Sequence, residues 1–383
     1  MFDKIAALAH DADEMFQQAA RQLVETGQLG RLFDLRLMQR RHELGLPLGP
    51  DAVLDELEDS VLSRLENAYL DACREVGQLF LEADRPREAW RYLRPTGEKK
   101  AVRRWLERAV PHDEQADELI ELALYEGIDP ERGYAWLLAR RGTCNAVTEL
   151  EAMRGGLSVK DQTACAAVLV RHLHDELLGN LRGHLERLGE NVPSGESIGK
   201  LLTNSPTLLS EGSFHIDTSH LASTVRIARL LTKPALLEKA IELAEYGSRL
   251  SADLQYPDES PFEDLYRTHL LLFCASLGRE VETALDYFGG RAREAASDGP
   301  ASDEQSTTAV EAYLVLLERT GHAQQALDEY AKLVPADCPL SPYAPTLLRL
   351  AQASGGWQRY FEICQQRNDV VGFAAGQLSQ QLP

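Results

Sequence analysis

The stretch "AVEAYLVLLERTGHAQQALDEYAKLVP", residues 309–335, holds two helical patterns joined at a glycine, and its reading decides the fold. Val310, Tyr313, Leu314 and Leu317 recur at helical spacing and form one bulky stripe. Gly321 interrupts the helix, and a second pattern follows in which Ala326 is small. Two upstream stretches share this plan. In "EDLYRTHLLLFCASLGREVETALDYFGG", residues 263–290, Thr268, Leu271, Leu272 and Ala275 precede Ala284 at the same offsets. In "ASTVRIARLLTKPALLEKAIELAEYG", residues 222–247, Thr224, Ile227, Ala228 and Leu231 precede Ala240. The three alanines are spaced by 44 and 42 residues, so each unit is a helix pair plus a loop of variable length.

The physics of such a unit is simple. One helix presents a large apolar stripe, and the other brings an alanine where two backbones must approach. Neither helix can bury its stripe alone, so neighbouring pairs stack. This pattern resembles the tetratricopeptide repeat (TPR) family, with Gly321, Ala326 and Tyr330 giving the best match. "CREVGQLFLEADRPREAWRYL", residues 73–93, is similar to the same family through Gly77, Phe80 and Ala89. The units are longer than that family's norm, and its tryptophan position is unfilled. The resemblance covers about half the chain and implies a solenoid of helix pairs that binds protein segments in a concave face.

Helical periodicity dominates elsewhere too, and strand signals are almost absent. A helix is expected from residue 3 to a stop at Gly27, and a longer one from Asp51 to residue 84. Shorter ones are expected over 86–94, 98–109, 113–126 and 130–141, with a long one over 163–189. Residues 189–219 concentrate Gly, Ser, Pro and Asn and read as an irregular central segment. The expected organisation is therefore an all-α protein with an N-terminal helical domain (1–188), a linker (189–219) and a TPR-like domain (220–383).

Composition narrows the function. Forty Lys and Arg face sixty Asp and Glu, and a net charge of −20 repels phosphate backbones, which argues against nucleic acid. Six cysteines without a CxxC pair read as reduced thiols, and the first turns carry acids unlike a signal peptide. No uncharged apolar run is long enough to span a bilayer. A cytoplasmic protein is the expectation, and its oligomeric state is left open.

Three places carry candidate chemistry. On the helix around residues 163–189, Val170, Leu177, Leu181, Leu185 and Leu188 share one face with His174, whereas His172 and Glu176 lie opposite. His220 falls in the buried arc of the helix that follows, with Arg226 and Arg229 facing out, and His215 and Asp217 project from one side of an extended segment. Converging, His174, His215, Asp217 and His220 would suit zinc, iron or manganese and an enzyme that activates water or polarises an oxygen. The plainer alternative makes Asp217 or Thr218 a helix cap. Next, Arg91, Arg94, Lys99, Lys100, Arg103 and Arg104 interleave with Trp90, Tyr92 and Trp105 and could bind an anion or acidic peptide. Glu88, Glu98 and Glu107 dilute that charge, and the tryptophans read as core. Finally, Cys144 could be a nucleophile beside a distant histidine, or could pack inside a helix begun at Gly142. The leading expectation is a scaffold that binds a protein or peptide segment in a groove; the alternative is the metal-dependent hydrolase or oxidoreductase.

Overall fold

The computed structural model describes residues 2–8, 10–49, 57–153, 156–190, 195–297, 304–336 and 338–381. Every regular element among them is a helix. The chain divides into two compact units, Met1–Trp136 and Leu137–Pro383.

The first unit holds α1 (Phe2–Ala7), α2 (Ala12–Glu25), α3 (Leu29–Glu43), α4 (Asp59–Glu82), α5 (Pro86–Leu93), α6 (Lys99–Leu106) and α7 (Ala116–Ile120), the last continuing as a π turn over Glu121–Tyr125. The single N-terminal helix expected up to Gly27 is two, because Asp11 adopts an extended conformation and accepts the Glu14 amide, capping α2. The expected start at Asp51 lies outside the described residues. The core is Leu32, Val76, Phe80, Ala89, Leu93, Val102, Leu106 and Ile128, all buried. Gly77 lets α4 approach α5, since a Cβ there would sit 2.5 Å from Leu93 Cγ.

Helix α8 (Pro130–Ala152) carries the division between the units and breaks at Gly142, whose φ of 77° only glycine adopts freely. The second unit continues with α9 (Val159–Arg187), α10 (Ile198–Asn204), α11 (Thr218–Ile227), α12 (Pro234–Ser248), α13 (Leu265–Ser276) and α14 (Val281–Ser297). It ends with α15 (Glu304–Arg319), α16 (Ala323–Leu333), α17 (Leu347–Ser354), α18 (Trp357–Gln366) and α19 (Val370–Ser379). Ser158, Ser197, Asp217, Asp264, Thr346 and Asp369 each cap a helix through the side chain. The described residues of 189–219 belong inside this unit, where α10 touches both α9 and α12. Leu188, expected on the buried face of α9, is exposed because the helix stops at Arg187.

Consecutive helices from α11 to α19 pack against each other, and α11 also touches α13, α13 touches α15, and α14 touches α16. Ala240, Ala284 and Ala326 are fully buried at these contacts. A second small-residue device recurs: Tyr266 of α13 lies against Gly247 of α12, and Tyr313 of α15 against Gly289 of α14. No helix among the described residues is long and apolar enough to cross a membrane.

Candidate functional site

His174 is buried on the inner face of α9, between the fully buried Leu173 and Leu177. Its ring is claimed by α12, where Lys239 Nζ lies 2.8 Å from Nδ1 and Glu242 Oε2 lies 3.1 Å from Nε2. Asp175 Oδ1 lies 3.2 Å from the same Nδ1, so each ring nitrogen has a carboxylate within reach. Lys239 also pairs with Asp175 at 2.9 Å, and Glu242 accepts the Ile198 amide at 3.0 Å. Burial works to raise the Glu242 carboxyl, but the hydrogen bonds from His174 and Ile198 outweigh it and hold the group below its ordinary value. The cluster ties α9, α10 and α12 together.

His215 lies elsewhere, in the loop before α11. Its Nε2 is 2.8 Å from His184 Nδ1, and its own amide donates to the Tyr246 hydroxyl at 2.8 Å. Asn180 holds the His215 carbonyl at 2.8 Å. Asp217 is exposed and caps α11, accepting the amides of Ser219 at 2.9 Å and His220 at 3.1 Å. His220 sits in the first turn and stays partly exposed rather than within the buried arc. Among the described residues, no three or more His, Cys, Asp or Glu side chains are placed to hold a metal. The four expected ligands are thus not brought together: Glu242 takes His174, the cap occupies Asp217, and His184 meets His215. Nothing local marks His184 in the sequence, since its partner lies 31 residues on.

This loop has a measurable pH signature. Burial, then the charges of His184 and Arg187, depress the His215 imidazole to about 4. The folded protein therefore keeps it neutral while the unfolded chain takes up a proton below about 6.5. Stability contributed above that pH is lost as pH falls toward 4, and no further below it. Allowing for solvent screening at a half-buried group, the loss is about 2 kcal/mol. Urea midpoints at pH 7 and pH 4.5 should drop further for the native chain than for His215→Asn; equal drops would refute the assignment.

The basic stretch of the first unit is largely spent on its own fold. Arg94 pairs with Glu126 at 3.4 Å, and Trp90 Nε1 donates to the same carboxylate at 2.9 Å. Lys99 donates to the Gly127 carbonyl at 2.9 Å and Arg103 Nε to Ile128 O at 2.8 Å, satisfying carbonyls where the π turn ends. Arg91, Lys100 and Arg104 remain exposed. Trp90 is buried, as its spacing implied. Cys144 is exposed rather than packed inside its helix, and His172 Nε2 meets Thr143 Oγ1 at 3.1 Å.

A cavity of about 420 Å³ lies in the second unit. Its wall is assembled from Thr163 of α9, Arg226 and Ile227 of α11, Leu272 of α13, Glu311, Val315 and Arg319 of α15, and Arg349 of α17. Arg226 and Arg229, expected to face solvent, turn away from the core of α11 and into this space. Periodicity places them off the buried arc but cannot tell a cavity from bulk water. Arg226 pairs with Asp258 at 3.0 Å, and Arg349 engages Glu318. The Arg229 guanidinium lies 4.8 Å above the Phe262 ring, which stacks on His269 at 4.3 Å between centroids. Four arginines thus meet two glutamates in the lining, a basic concavity in a molecule of charge −20.

Compared with protein-family models and with curated proteins, the chain matches none.

Proposed function

We propose that the second unit is a TPR-like solenoid of stacked antiparallel helix pairs, and that it binds a protein or peptide segment. One observation supports this reading above the others. The first helix of each successive pair, α11, α13, α15 and α17, contributes to the wall of the same cavity. A stack whose first helices all face one side presents a continuous concave surface, which is what a segment-binding groove requires. The arginines of that surface favour an acidic or acid-bearing segment. Nucleic acid, whose phosphates the net charge of −20 repels, is not proposed as a partner. We place the protein in the cytoplasm, a setting that its free cysteines suit.

The test is a fluorescence titration of the full chain against arrayed peptides of acidic, neutral and basic composition. Acidic peptides with apolar residues should bind, and more weakly as salt rises. Ala312 lines the cavity, so Ala312→Trp should abolish that binding while leaving the helical circular-dichroism signal intact. A protein that retains no peptide, or binding that survives Ala312→Trp, would overturn the reading.

A further inference from the structure

Arg319 differs from the other arginines of the cavity. It stands at the last position of α15, and Nη2 donates to the Arg229 carbonyl at 2.8 Å. Nη1 is enclosed and has no hydrogen-bond partner among the described residues. The neighbouring carboxylate, Glu318, is engaged by Arg349, and Glu311 accepts the backbone N–H and hydroxyl of Ser341. A buried guanidinium with a spare N–H and no carboxylate of its own is costly, and an anion delivered from outside would remove that cost. Burial lowers its pKa to about 10, which still leaves it charged at neutral pH.

We infer that this cavity binds a small-molecule monocarboxylate with an apolar body, its carboxylate accepting from Arg319. The single negative charge follows from the lining. Arg226 and Arg349 are already neutralised, while Glu311 and Glu318 would repel a phosphate dianion. Ile227, Leu230, Phe262, Leu272 and Val315 supply the apolar surface. A volume of about 420 Å³ lies in the range of small-ligand pockets. The inference shares its cavity with the segment-binding reading, so acid and peptide should compete, yet the two are separable: either ligand can be titrated without the other.

The experiment is calorimetric titration of the full chain with octanoate and phenylacetate, with octanamide and phenylacetamide as uncharged isosteres, and with inorganic phosphate. At least one acid should bind saturably, and its amide at least tenfold more weakly. Arg319→Met should weaken the acid at least tenfold, and Arg319→Lys less, because the lysine keeps the charge but not the planar fork. If Arg319→Met does not fold, Val315→Phe, which narrows the cavity and keeps the guanidinium, should weaken the acid instead. Neither acid binding, amide binding equal to acid, phosphate binding at least as tight, or binding unmoved by the variants would each overturn the inference. Peptide bound without acid would sink this inference alone; acid bound without peptide would sink only the segment reading.

Discussion

Gly247→Ala should destabilise the protein by about 3 kcal/mol, seen as a lower urea midpoint with the far-ultraviolet spectrum unchanged before unfolding. In an open helix the same change stabilises by about 1 kcal/mol, because glycine loses more backbone freedom on folding. Here an added Cβ would lie 2.2 Å from the ring of Tyr266. That ring is fully buried, so it cannot swing into solvent, and α12 and α13 must separate instead. Gly290→Ala, where a Cβ meets nothing within 4 Å, gives the opposite sign and serves as the control. Equal effects at the two glycines would remove the case for close approach between successive pairs.

Phe288→Ala should cost about 3–5 kcal/mol, the usual range for deleting a buried aromatic ring. Phe288 is fully buried on α14, with its centroid 5.6 Å from Phe262 and 5.1 Å from Tyr287. Its neighbours cannot fill the void without moving. Phe262 is the ring on which His269 stacks and over which Arg229 lies, so loosening it disturbs the cavity floor as well as the core. The matching measurement is the urea midpoint, and a loss below about 1 kcal/mol would mean that the ring is not a keystone of α13 and α14.

The all-helical architecture was legible because it rests on local period. The stripes of Val310, Tyr313, Leu314 and Leu317, and the alanines at 240, 284 and 326, are buried as their spacing demands. Short helices over 86–93 and 99–106 lie where Pro86 and Gly97 delimit them. The sites were far less legible, since each depends on partners distant in sequence. His174 was rightly aimed inward, but Lys239 and Glu242, which occupy its nitrogens, lie 65 and 68 residues on. Asp217 offered two readings from the same residues, and its capping bonds to Ser219 and His220 are what the structure contains. Arg319 is the last residue of α15 and carries no local mark in the sequence. Only the convergence of α9, α11 and α15 around it makes it a candidate site, and no local pattern encodes that convergence.

Tyr343 hydrogen-bonds through its hydroxyl to the Gln162 side chain, 181 positions earlier. During synthesis at ordinary rates, roughly ten to forty seconds separate the emergence of these two residues from the ribosome. Helix α9 must wait out that interval with part of its cavity-facing flank uncovered, and the concavity closes only after Tyr343 has emerged.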